Sequence, residues 1–140
     1  MTDDMNELTQ KFFAFLTKRP CTRKQAYEYL SRQKINENDI DALMNEAESS
    51  GLIDDLTFAK LFAEGHLSWG NLKITYELSM KGISREDINA ALDEVEDEVT
   101  RAYEIVNSLR EMQVDNRKII SRLTSRGFTN RAIRSALKGE

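Results

Sequence analysis

The sequence predicts an all-α fold of three tandem three-helix, helix-turn-helix-like repeats forming an elongated, curved molecule. Three observations lead there. One proline and six glycines in 140 residues leave too few chain-reversing residues for an all-β fold. Apolar residues recur at helical spacing, and one pattern of seven positions repeats at a fixed offset.

The repeat is the strongest of the three. Ile74, Leu78, Gly82, Ile83, Ile88, Ala91 and Leu92 return as Ile119, Leu123, Gly127, Phe128, Ile133, Ala136 and Leu137. A degenerate earlier copy holds Ala26, Leu30, Ile35, Ile40, Leu43 and Met44, with Lys34 where the glycine stands in the others. The predicted units are 1–50, 51–97 and 98–140.

Within the middle unit, Phe58 and Phe62, then Ile74 and Leu78, stand at i, i+4, and Ile88, Ala91 and Leu92 at i, i+3, i+4. Each predicted helix therefore offers one apolar stripe. Gly82 and Gly127 sit where a left-handed residue ends a helix. Asn36, Ser84 and Thr129 supply the side-chain oxygens that start the next one. Asp54 and Asp55 precede the Phe58 and Phe62 stripe and are expected to cap it, with negative charge at the positive end of the helix dipole. Between Ile88 and Met112 the helical period runs on through Val95, Val99, Ala102, Val106 and Leu109 without glycine or proline. A break there would have to be capped by Asp97 or Thr100.

Composition excludes several function classes. A single cysteine, Cys21, has no disulfide partner, and one histidine, His66, cannot assemble a zinc site, so neither a metal nor a cofactor is expected. Gly65 and Gly70 lie in helical text and make no phosphate loop. No nucleophile and base are paired by any motif, which predicts a protein that is not an enzyme. The run Asp93 to Glu98 reads as a solvated helix face, and Trp69 as a core anchor. No apolar run approaches the roughly 20 residues that a membrane helix needs, and the composition suits a reducing cytoplasm.

Charge is divided unevenly. Residues 1–50 carry seven basic and nine acidic groups, residues 51–100 four and eleven, and residues 101–140 nine and four, giving −2, −7 and +5. In the basic third, Lys118, Arg122 and Arg126 follow at spacing four. Arg131, Arg134 and Lys138 lie opposite Ile133, Ala136 and Leu137. Such stripes engage phosphates, fit an acidic protein groove, or form an ordinary charged exterior.

Two linked segments resemble the RecX family of RecA regulators. Gly51-Leu52-Ile53-Asp54-Asp55-Leu56-Thr57-Phe58-Ala59-Lys60-Leu61-Phe62 is similar to the opening of that family's middle repeat. The stretch from Gly70 through Lys73, Ile74, Glu77, Leu78 and Lys81 to Gly82 and Ile83 resembles its continuation, and Arg126-Gly127-Phe128 its third-repeat counterpart. The likeness spans Phe12 to Leu137. It implies a cytoplasmic modulator of RecA filaments on single-stranded DNA that limits filament growth, and so affects recombination, DNA repair and the SOS response.

On that resemblance Asp54, Asp55, Phe58, Phe62, Ile74, Glu77, Leu78, Gly82, Gly127 and Phe128 are signature positions, mainly structural. Lys73, Lys81, Arg117, Lys118, Arg122, Arg126, Arg131 and Arg134 are the candidates for binding recombinase or DNA. The chain departs from the family after Phe62, where His66, Leu67, Ser68 and Trp69 replace arginines and a longer turn. Contact through the basic third is therefore the safer expectation. A stand-alone nucleic-acid-binding module is the alternative.

Overall fold

The computed structural model describes the backbone of residues 3–139, and every regular element among them is an α-helix. These are α1 (Asp3–Lys18), α2 (Arg23–Ser31), α3 (Glu37–Ser49), α4 (Asp55–Glu64), α5 (Asn71–Met80), α6 (Arg85–Asp93), α7 (Glu98–Glu111), α8 (Asn116–Ser125) and α9 (Asn130–Lys138). The three-helix repeats are present, each with its own core.

Phe12, Leu16, Ala26, Leu30, Ile40 and Met44 form the first core. Ala59, Ala63, Ile74, Leu78, Ile88 and Ala91 form the second, and Ala102, Val106, Ile119, Leu123, Phe128 and Ile133 the third. In each, the apolar stripes of three short helices meet because no one helix could bury its stripe alone.

The helix boundaries follow from local chemistry. Asn36, Ser84 and Thr129 accept hydrogen bonds from the backbone N–H of Asp39, Asp87 and Ala132, as their positions predict. Thr22 and Gln25 build a reciprocal capping box at the start of α2. The helical period around residue 95 is broken: α6 ends at Asp93 and α7 begins at Glu98, with Asp97 accepting the Thr100 N–H at 2.8 Å. The run 93–98 is therefore a turn and two helix ends, which corrects its reading as one solvated helix face. Gly65 and Gly70 also lie between helices, as the C-cap of α4 and the N-cap of α5.

Gly82 and Gly127 take the left-handed conformation, with φ of 88° and 86°. In the third unit the Gly127 N–H reaches the Thr124 carbonyl and the Phe128 N–H the Leu123 carbonyl, which satisfies two acceptors of the last turn of α8.

Each of these glycines also seats a neighbouring unit. A Cβ on Gly127 would meet the Lys73 backbone nitrogen at 2.6 Å, and one on Gly82 would meet Lys24 Cδ at 2.7 Å. Lys34, in the matching turn of the first unit, is exposed, lies outside the left-handed region and has no unit docked on it among the described residues. The glycine is thus spared where no joint forms.

Candidate functional site: two joints and a basic face

The two joints are built by the same device. At the first, Asp54 caps its own helix by accepting the Thr57 N–H at 3.1 Å, while Asp55 reaches back to accept the Arg23 N–H at the start of α2 at 2.8 Å. At the second, Asp97 caps α7, and Glu98 reaches back to the Asn71 N–H at the start of α5 at 2.8 Å. The paired acids therefore split their work, one on its own helix and one on the preceding unit. Capping explains Asp54 in full. Asp55 acts across the joint, which sequence spacing did not reveal.

Electrostatics separates the two acids of the signature pair. The hydrogen bonds from Thr57 hold the Asp54 carboxyl below its ordinary range, whereas burial pushes Asp55 above it despite the Arg23 N–H. Asp97 is lowered as Asp54 is, by the hydrogen bonds from Thr100.

More bonds lock each joint. Thr22 Oγ1 donates to the Lys81 carbonyl at 2.6 Å. At the second joint the Gly70 and Leu72 N–H groups donate to the Arg126 and Gly127 carbonyls at 2.8 and 3.0 Å. Glu98 also accepts from the backbone N–H and hydroxyl of Thr129 at 3.2 and 2.8 Å.

Arg101, only 3% exposed, fills the space between the middle and third units. It donates to the carbonyls of Glu96 at 2.7 Å, Trp69 at 2.5 Å and Leu67 at 3.4 Å, and to Asn71 Oδ1. Burial draws its pKa down, opposed by Glu98, Asp97 and Glu96. Charge patterning had counted Arg101 with the basic third, yet its guanidinium faces inward and is unavailable to a partner.

Six of the eight predicted binding cations share the third unit and are free. Arg117, Lys118, Arg122 and Arg126 lie on or at the end of α8, and Arg131 and Arg134 on α9, all exposed and none in an ion pair or side-chain hydrogen bond among the described residues. Their neighbours Ile119, Leu123, Ala132 and Ile133 are buried, which fixes the cations on the outer face. A shallow depression of about 260 Å³ lined by Ile120, Asn130, Ile133, Arg134 and Leu137 runs between the two helices.

Lys73 and Lys81 stand elsewhere. On α5 and at its C-cap respectively, they flank half-buried Glu77 and lean on an aromatic ladder of Phe58, Phe62, His66 and Trp69. Lys73 Nζ lies 4.2 Å from the Trp69 ring centre and Lys81 Nζ 5.6 Å from that of Phe62. His66 stacks on Phe62 at 4.1 Å and donates from Nδ1 to the Phe62 carbonyl at 2.6 Å. Phe62, His66 and Trp69 sit at i, i+4, i+7, a helical spacing that continues past the end of α4. Trp69 packs beside the middle core, half-buried, as part of this ladder. The cations on it are held by ring faces.

The remaining signature positions serve packing: Ile74 and Leu78 are fully buried in the middle core, and Phe128 in the third. Among the described residues no cluster of histidine, cysteine and acids is placed to hold a metal ion, and no helix is long and apolar enough to cross a membrane.

Comparison with known proteins places this architecture. Residues 54–92 match the model of the second three-helix domain of RecX. The regulatory protein RecX of Chlorobium phaeobacteroides (strain BS1) is 30% identical over 129 residues, covering 87% of this chain and 85% of its own. That of Listeria monocytogenes serotype 4a (strain HCC23) is 27% identical over 137 residues, covering 90% of this chain but 51% of its own, so the chain spans about half the length of such relatives. The crystal structure of RecX from Lactobacillus salivarius has the same fold, with a TM-score of 0.85 at 23% identity over 99% of this chain and 97% of that one. With its middle repeat, its whole-chain likeness to the Chlorobium protein and its three-unit fold in agreement, the chain belongs to the RecX family of regulatory proteins.

Proposed function

We propose that this protein binds RecA filaments on single-stranded DNA in the cytoplasm and limits their growth and activity, modulating recombination and SOS induction. The observation that carries the reading is the basic face of α8 and α9 on an otherwise acidic chain: six exposed cations with no ion pair or side-chain hydrogen bond among the described residues, carried on two consecutive helices. Such a face meets the phosphates of the filament's DNA, while the joined units span neighbouring recombinase subunits. Occupancy biases the filament toward disassembly, and no bond is made or broken.

The test is ATP hydrolysis by RecA assembled on single-stranded DNA, with this protein added up to equimolar ratio. Hydrolysis and filament length fall; no change in either overturns the reading. Charge reversal by Arg122→Glu with Arg126→Glu weakens the effect and flattens its salt dependence.

The same basic face favours a second reading, a stand-alone nucleic-acid-binding module, because the α8-turn-α9 pair is a helix-turn-helix with cations on both helices. That reading requires salt-sensitive DNA binding without recombinase and no effect on the filament.

A further inference from the structure

The outer face of α5 carries three large apolar side chains in line. Leu72, Tyr76 and Met80, at i, i+4, i+8, are 59%, 62% and 58% exposed, although Ile74 and Leu78 on the same helix are fully buried. The internal repeat shows that the fold does not ask for this. The matching positions are Lys24, Glu28 and Arg32 in the first unit and Arg117, Ser121 and Ser125 in the third, all polar and all exposed. Only the middle unit exposes hydrocarbon here, which marks a contact surface rather than a requirement of packing.

The stripe is about 12 Å long at 1.5 Å per residue. It runs from joint to joint. At one end the Leu72 N–H donates to the Gly127 carbonyl, next to exposed Arg126, and at the other Lys24 Nζ donates to the Met80 carbonyl at 3.4 Å. Cations therefore stand at both ends. The one acid on α5 is Glu77, and the other carboxylates of the middle unit belong to α4, α6 and the turns that flank them. The complementary surface is apolar in its centre and carboxylate-bearing at its edges. Single-stranded nucleic acid stacks its bases on aromatic rings, and two of these three side chains, Leu72 and Met80, carry no ring.

We infer that the Leu72, Tyr76 and Met80 stripe docks a protein surface, an apolar patch edged by acidic side chains on the recombinase subunit. This rests on the proposed function and divides its labour: the third unit meets phosphates and the middle unit meets protein. Burial of three large apolar side chains stabilises the complex without the salt sensitivity of the basic face.

The experiment uses the full chain with Leu72→Gln, Tyr76→Ser and Met80→Ser combined, the last two being the residues the third unit carries at these positions. All three sites are solvent-facing, and an unchanged urea midpoint confirms the fold. Binding is measured to RecA assembled on single-stranded DNA and, separately, to a thirty-residue oligothymidylate alone. The variant loses filament affinity at least tenfold and keeps oligonucleotide affinity within twofold. Lys24→Gln alone, which keeps the aliphatic stem against Gly82, weakens filament binding about threefold.

Equal filament binding by variant and wild type overturns the stripe assignment while leaving the proposed function standing. A parallel loss of oligonucleotide binding also overturns it, by making the stripe a nucleic-acid contact. A wild type that ignores the filament overturns the proposed function, and the assignment to recombinase falls with it.

Discussion

Three glycine-to-alanine changes separate the cost of a left-handed residue from the cost of opening a joint. Gly51 has φ of 80° with open space where a Cβ would go, so Gly51→Ala carries backbone strain alone, about 1–2 kcal/mol. Gly70 is the reverse. Its φ of −78° suits any residue, but a Cβ would collide with the backbone of Gly127 and Phe128.

Neither of those backbone segments is a flexible side-chain end, so the joint itself must give in Gly70→Ala. Overpacking costs about 1–3 kcal/mol, and the two hydrogen bonds from Gly70 and Leu72 to the Arg126 and Gly127 carbonyls are worth about 0.5–1.5 kcal/mol each. The expected loss is about 2–6 kcal/mol. Gly127→Ala combines both faults, with φ of 86° and Lys73 backbone in the way, and loses about 2–5 kcal/mol. The smaller entropy of alanine in the unfolded chain favours all three variants alike and cancels in the comparison.

Urea unfolding checks the order, followed by far-ultraviolet circular dichroism and by the fluorescence of Trp69, the chain's one tryptophan, whose carbonyl is bonded to Arg101 across the second joint. If Gly70→Ala costs no more than Gly51→Ala, the joint is not closely packed at this point and the dual role assigned to Gly127 is wrong.

Further outcomes follow from the same geometry. Arg101→Met strands the carbonyls of Glu96, Trp69 and Leu67 and lowers stability by about 3 kcal/mol; Arg101→Lys does not restore it in a thermal melt, since one ammonium cannot span what the planar fork reaches. Asp55→Asn keeps an acceptor for the Arg23 N–H and removes a charge that burial disfavours, so it is at least as stable as the wild type at pH 7, whereas Asp55→Ala loses about 1 kcal/mol.

The pH dependence has a definite sign. With its folded pKa raised, Asp55 contributes stability at acid pH that is lost as pH rises through the folded value, so the advantage of Asn shrinks on acidification. Asp54 and Asp97 act oppositely: their depressed pKa values give stability above the unfolded carboxylate range that is lost as pH falls, which urea midpoints between pH 3 and pH 7 will resolve. Gln113 is the one non-glycine with positive φ among the described residues, at 61°. Its N–H bonds the Arg110 carbonyl in the same helix-ending turn as Gly127, and Gln113→Gly raises stability by about 0.5–1 kcal/mol in the same assay.

The sequence by itself determined what is local. The spacing of Ile74 and Leu78 required a helix because residues four apart share a face, and Gly82 and Gly127 ended helices because only glycine enters the left-handed region freely. Asn36, Ser84 and Thr129 started the next helices with their own oxygens. The outward placement of the six cations of the third unit was legible too, since they stand out of phase with the apolar stripes of α8 and α9.

Only the tertiary structure decided what joins the units. Asp55 finds Arg23 32 residues away, and Glu98 finds Asn71 27 residues away. No local rule tells a carboxylate at the first position of a helix whether to cap that helix or its neighbour. Arg101 turned inward for the same reason, its partners being carbonyls that come together only when two units pack. The exposure of Leu72, Tyr76 and Met80 was likewise invisible in the sequence, where an apolar residue at helical spacing reads as core. Whether a helix face is covered depends on which units lie against it, and here none of the described residues covers that face.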